Sequence, residues 1–166
     1  MKIAEQISYL QLKNPAFDRQ VIHDVDNRGN EFCEMIMPNA KKPNAPLTVT
    51  VTERGCSVSV GQFEDVANSN TMTPEQVCAA IKDIKDDKII FVLAYRDKDS
   101  DTGFGAPFFS RIFAITGGND DMSEEYDSFI TKISTPLTKF SRFFTSLKGR
   151  FVIFNYSGSI DREIIR

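Results

Sequence analysis

Apolar and small polar side chains alternate on both sides of Gly55 in TVTVTERGCSVSVGQFEDV, residues 48–66. Successive side chains of a strand point to opposite faces of a sheet. The stretch therefore predicts a hairpin over 47–60 with one apolar face and one face of Thr and Ser hydroxyls. We expect the hydroxyl face to be exposed, the commoner case in antiparallel sheets, or to form the floor of a shallow groove. The hairpin is thus structural, and only GQFEDV (61–66) at its end is a candidate contact.

A helix and another hairpin are predicted before this stretch. FDRQVIHDV and EFCEMIMP are separated by DNRG (26–29), which supplies turn-forming residues and a glycine; this pattern is typical of a hairpin. Further upstream, Ile3, Ile7 and Leu10 have helical spacing, and Asn14–Pro15 is a stop signal. The N-terminal part of the chain is therefore expected to fold as a helix followed by two hairpins.

The clearest local signal lies in TPEQVCAAIKDIKDD (73–87). Thr73 can cap a helix, Pro74 suits its first position, and Gln76 completes a capping box. The continuous apolar run that follows, KIIFVLAY (88–95), predicts an interior strand covered on both faces.

The rest of the chain continues this mixture of helices and strands. The further predicted elements are a strand at 108–116, a helix beginning at Asp121 or Ser123, a helix from Thr135–Pro136 to Gly149, and strands at 150–156 and 159–165. This order predicts an α+β fold: a single domain over 1–166 with a mostly antiparallel sheet built from hairpins and about three to four helices packed on it.

Composition excludes several classes of function. The formal net charge of −3 and the pI near 5.2 disfavour binding to nucleic acid. The N-terminus lacks the apolar region of a signal peptide, and the longest apolar run is too short to span a bilayer. Cys33, Cys56 and Cys78 are odd in number and widely spaced, which indicates reduced thiols and a cytoplasmic location. We expect no membrane partner and no cofactor.

Two constellations resemble chemical sites but are incomplete. Asp97, Asp99 and Asp101 alternate as in a calcium loop, but the glycine and glutamate that such a loop requires are replaced by Thr102 and Phe108. We therefore predict no metal site there. The only histidine, His23, lies across the first predicted hairpin from Cys33, so that a pair is conceivable. No local signature of a cysteine nucleophile accompanies them, and we predict no catalytic residues.

Three segments together resemble small bacterial immunity proteins of polymorphic or contact-dependent toxin systems. They are SVSVGQFEDV, TPEQVCAAIKDIKDDKIIFVLAY and VIFNYSGSIDREI. The resemblance implies a noncatalytic protein that binds one cognate toxin domain and covers its active site. The chain departs from the pattern in GQFEDV, which has no histidine.

An inhibitor of a basic toxin gains from an acidic surface, because opposite charge accelerates association. The acidic loops at 97–101 and 119–125 can supply that surface, with an aromatic side chain as anchor. The expected partner-binding residues are Phe63, Glu64, Asp65, Asp97, Asp99, Asp101, Phe104, Asp120, Asp121, Glu124 and Glu125. Two alternatives stay open: an α+β domain of structural or regulatory role, and a small enzyme with a dispersed site near the glycines at 103, 105, 117 and 118.

Overall fold

The computed structural model describes residues 1–19, 21–61, 63, 66, 71–95, 109–115, 121–134 and 149–165. The chain divides into two compact units, Met1–Asp86 and Asp87–Arg166. Each unit contains a four-stranded antiparallel sheet.

Unit 1 is built from the predicted helix and the two predicted hairpins, followed by a second helix. Its elements are α1 (Ile3–Lys13), a 3-10 helix (Pro15–Arg19), β1 (Val21–Val25), β2 (Glu31–Met37), β3 (Leu47–Thr52), β4 (Gly55–Val60) and α2 (Pro74–Lys85). The strands lie in the order β1-β2-β3-β4, so each pairs with its neighbour in sequence. The predicted cap of α2 is confirmed: the Gln76 backbone N–H donates to the Thr73 hydroxyl, and the Thr73 backbone N–H donates to the Gln76 side chain.

The predicted alternation of the second hairpin is confirmed in its burial. Val49, Val51 and Val58 are fully buried, whereas the Thr and Ser side chains of the opposite face are half-buried. The buried side chain of Gln6 joins α1 to the apolar face, since its Nε2 donates to the Thr52 carbonyl at 3.0 Å and its Oε1 accepts from the Cys56 thiol at 3.2 Å. The Gln6 amide can be buried here because these bonds replace the hydrogen bonds that it would make to water.

Unit 2 contains the predicted interior strand and the elements that surround it. They are β5 (Ile89–Tyr95), β6 (Phe109–Ala114), α3 (Ser123–Ser134), β7 (Arg150–Asn155) and β8 (Arg162–Ile165), with the sheet order β6-β5-β7-β8. Every residue of β5 is buried, as its unbroken apolar sequence predicts. The apolar face of α3 packs on a core cluster that includes Val92, Phe113 and Ile153.

The α+β class is confirmed, with three α-helices among the residues that the structure describes. The strands form two sheets, and periodicity did not indicate this division because it carries no information on which distant strands pair. The helix predicted between Thr135 and Gly149 lies outside the described residues, and the single domain over 1–166 stays a prediction. No helix in the described ranges is long and apolar enough to cross a membrane.

Candidate functional site

Most of the predicted partner-binding residues cannot be placed on a surface. Glu64, Asp65, Asp97, Asp99, Asp101, Phe104 and Asp120 lie outside the described residues. Phe63 is described, and only 4% of its side chain is exposed. Its ring packs inside unit 1, so it is not presented as an aromatic anchor.

The remaining candidates lie at the start of α3, where they stabilise the helix. The Asp121 carboxylate accepts hydrogen bonds from the Ser123 backbone N–H, at 2.7 Å, and from the Ser123 hydroxyl. Glu125 forms an ion pair with Arg111 at 2.7 Å, and Glu124 is exposed in the first turn. Negative charge is favourable at a helix N-terminus. A role of these three residues in partner binding stays a prediction.

The segment that contains Phe63 closes one edge of the sheet of unit 1. Val60 and Phe63 exchange backbone hydrogen bonds at 3.0 Å, and Cys56 and Met72 do the same at 2.9 and 3.0 Å. Between them, the Val66 N–H donates to the Val58 carbonyl at 2.8 Å. These bonds pair the outward-facing N–H and C=O groups of Cys56 and Val60 and the C=O of Val58.

The other edge of this sheet, β1, has no such cover among the residues that the structure describes. The Asp26 N–H donates to the Asn30 carbonyl at 2.9 Å, and hydrogen-bonded and non-hydrogen-bonded pairs alternate along an antiparallel ladder. The backbone N–H and C=O groups of Val21, His23 and Val25 consequently point away from β2. Ile22 and Val25 are 45% and 54% exposed. Among the described residues, the edge thus combines outward-facing backbone, which no other strand pairs, with exposed apolar side chains.

A groove of about 510 Å³ runs beside this edge, between α1 and the first hairpin. Ile3, Ala4 and Ile7 line it on the helix side, and residues 23–25 and 31–33 on the hairpin side. The lining on the helix side is apolar. The groove can therefore accept apolar side chains from a chain that pairs with β1.

The Cys33–His23 pair conceivable from the sequence is present in this groove. The two residues are directly opposite in the β1–β2 register, and Cys33 Sγ lies 3.0 Å from His23 Nδ1. Cys33 is only 3% exposed, and burial, with a smaller contribution from the Glu31 charge, raises the pKa of its thiol. A nucleophilic cysteine needs a lowered pKa. The neutral thiol can donate its S–H to the imidazole, which makes the contact a structural one.

The first hairpin is strongly acidic. Residues 21–37 carry four carboxylates and one guanidinium, a formal charge of −3 with His23 neutral. Asp26 accepts hydrogen bonds from the Asn30 side chain and from the backbone of Asn30 and Arg28, and these bonds lower its pKa. Its charge is therefore maintained well below neutral pH. The hairpin that carries the open edge therefore has a net negative charge.

The Ser-Gly turn of the third resembling segment has a structural partner in unit 2. Asp87, whose φ is +59°, accepts from the Ser157 backbone N–H at 2.9 Å and from the Ser157 hydroxyl. The buried Asn155 donates to the Ser159 hydroxyl at 2.6 Å. These bonds hold the β7–β8 turn against the start of β5.

Within the described part of the chain, no group of three or more His, Cys, Asp or Glu side chains could hold a metal ion.

Sequence reasoning selected GQFEDV and missed the edge of β1. The available signal was topological: in a run of consecutive hairpins the first strand has a neighbour on one side only. VIHDV (21–25) also has a valine at each end of a short strand, and no sequence pattern indicates a segment that covers it. The alternation alone did not show whether a later segment would return to pair with it.

In comparisons with protein families, curated proteins and solved structures, nothing matches this chain. The resemblance to bacterial immunity proteins stays a prediction.

Proposed function

We propose that this chain is a noncatalytic protein-binding module that takes its partner at the outer edge of β1. The observation that carries the proposal is the edge itself, where the backbone of Val21, His23 and Val25 points outward beside exposed Ile22 and Val25. A partner strand added there gains main-chain hydrogen bonds and buries both apolar side chains. An open edge of this kind otherwise favours aggregation, so a specific occupant explains its retention.

A finer proposal concerns the class of partner. The acidic first hairpin and the resemblance to immunity proteins both favour a basic toxin domain, which the chain would bind and inhibit. Its three free thiols favour the cytoplasm as the place of this interaction.

The experiment that tests the function is affinity capture from native extract at low and high salt, followed by binding measurements with the purified captured protein. Val25→Lys and Ile22→Lys introduce charge at the edge and are expected to weaken binding at least about tenfold. Leu12→Lys, at an exposed apolar position on α1, is the matched control and should bind normally. Unchanged binding by both edge variants would overturn the proposed site.

The enzyme alternative has one observation in its favour, the 3.0 Å contact between Cys33 Sγ and His23 Nδ1. The raised pKa of Cys33 opposes it. The two functions can be separated by alkylation at neutral pH. A structural thiol reacts much more slowly than a free one, whereas a thiolate paired with a protonated imidazole reacts faster. Rapid, selective modification of Cys33 would favour the enzyme.

A further inference from the structure

We infer that the occupant of the β1 edge is an extended, antiparallel segment of the protein partner that places a basic side chain opposite Asp24 and apolar side chains over the groove. This inference rests on the proposed protein-binding function and names the chemistry of the partner. It follows from the register of β1, from one hydrogen bond at the edge and from the local charge.

The register determines which partner positions meet which surface. Partner residues opposite Val21, His23 and Val25 exchange backbone hydrogen bonds with them, and their side chains lie on the same face as these three residues. That face borders the groove and the apolar side chains of α1. His23 and Val25 line the groove, and Val21 is itself apolar and half-buried, so apolar partner residues suit the three positions.

Partner residues at the two intervening positions point to the other face. One lies opposite Ile22, which is 45% exposed, and the other opposite Asp24, which is also exposed. Directly opposed side chains in an antiparallel pair are close enough to interact, and opposite charges there are stabilising. The partner pattern, read from its N-terminus, is apolar, basic, apolar, apolar, apolar.

Asp24 provides a specific reason for the basic residue. Its Oδ1 accepts a hydrogen bond from the Val25 N–H at 2.8 Å, and this N–H is one of the outward-facing donors. A pairing strand must take that donor for its own carbonyl, which releases the carboxylate. A Lys or Arg opposite Asp24 replaces the lost hydrogen bond with an ion pair, whereas an acidic residue leaves two carboxylates opposed.

Charge also decides between a foreign segment and a second copy of this chain. Pairing of two β1 strands would bring together two hairpins that each carry a formal charge of −3. Such juxtaposition of like charge opposes association. A basic segment reverses the sign of this interaction.

The test uses the whole protein and short, fluorescently labelled synthetic peptides with the stated pattern, measured by fluorescence anisotropy. One peptide has Lys at the position opposite Asp24 and a matched peptide has Glu there. We expect the Lys peptide to bind at least about tenfold more tightly, with an advantage that shrinks as salt screens the charges. In Asp24→Asn the two peptides should bind within about threefold of each other. Glu53→Gln, an exposed carboxylate of the β3–β4 turn, should retain the difference.

Backbone pairing is tested on the peptide, so that the fold of the protein is not disturbed. N-methylation of the amides that face β1 should abolish binding, and N-methylation of the alternate amides should not. Equal binding of the Lys and Glu peptides, or a difference that survives in Asp24→Asn, would overturn the inference. If the protein forms a homodimer and Val25→Lys dissociates it, the occupant of the β1 edge is a second copy of this chain and the inference is wrong.

The outcomes separate this inference from the proposed function. If capture of a natural partner depends on Val25 and Ile22 but no Lys peptide binds, the chemistry assigned to the occupant is wrong and the function stands. If capture is indifferent to the edge variants, the binding site is wrong and the inference falls with it.

Discussion

The two edges of the sheet in unit 1 differ in how their outward-facing backbone is satisfied. At β4, backbone hydrogen bonds from Phe63, Val66 and Met72 pair the strand, and the side chains of Phe63 and Met72 are buried. At β1, the described residues supply one hydrogen bond, from the Val25 N–H to the Asp24 carboxylate. One edge is therefore part of the core, whereas the other has no such cover from the residues that the structure describes.

Sheet edges must be protected against uncontrolled pairing. β4 is protected by apolar cover. β1 has only five residues, with one carboxylate inside the strand at Asp24 and another just after it at Asp26. The Asp24 side chain also occupies one outward-facing donor, the Val25 N–H. These protections are reversible, because a partner can displace a carboxylate far more easily than a buried phenylalanine. This contrast supports the proposal that the partner binds at β1.

The largest effect is expected where the closed edge is broken. Phe63→Ala removes a ring that is 4% exposed and should lower the free energy of unfolding by about 3–5 kcal/mol. Urea unfolding followed by circular dichroism measures this loss. Ile22→Ala, at the open edge, is the control and should change stability little. Equal losses in the two variants would mean that the edges do not differ in this way.

A pH-dependent effect is expected from Cys56 on the closed edge. Burial raises the pKa of its thiol to about 11, against an ordinary value of 9.0. The unfolded chain therefore ionises first, and the contribution of Cys56 to stability, complete below pH 9.0, is lost as the pH rises to about 11. Because solvent screening reduces the effect of the shift, the stability difference between the wild type and Cys56→Ala should fall by about 1–2 kcal/mol over that range. Urea titrations across this range test the sign, and a constant difference would contradict it.

Substitution of one glycine in each hairpin compares how tightly the two hairpins are packed. Gly29, in the β1–β2 turn, and Gly55, at the start of β4, have φ of +80° and +138°. A Cβ at Gly29 meets nothing within 4 Å, whereas one at Gly55 would lie 2.9 Å from the backbone of Thr71. Gly55→Ala should be about 1–2 kcal/mol more destabilising than Gly29→Ala, because both incur backbone strain but only one clashes. Thermal and urea unfolding give the difference, and equal effects would show that residue 71 can move aside.

The smallest effect is expected for charge at the open edge. Val25→Lys should change the free energy of unfolding by no more than about 0.5 kcal/mol, since the side chain is 54% exposed and has little packing to lose. Urea unfolding measures it beside the partner-binding assay. A loss of several kcal/mol would place Val25 in the core and remove the distinction between the edges.

Local elements could be predicted from the sequence because their signals are local. The capping box of Thr73 and Gln76, the alternation over 47–60 and the apolar run of β5 each specify structure through neighbours in the chain. The candidate site could not be predicted in the same way. Phe63 is an aromatic residue in an acidic segment, a setting that favours an exposed anchor. Only its burial and its backbone pairing with Val60 show that it belongs to the core.

The α+β class, the hairpins with their buried valine face and the acidic charge of the first hairpin could all be predicted from the sequence, because periodicity, capping and charge depend on adjacent residues. The tertiary structure was needed to show that the strands form two sheets and that Cys33 contacts His23 in a groove beside α1. It was also needed to show that β4 is covered and that β1 has no such cover among the described residues. Each of these depends on where distant segments pack. A pattern within one strand cannot specify which of its edges a remote segment will cover.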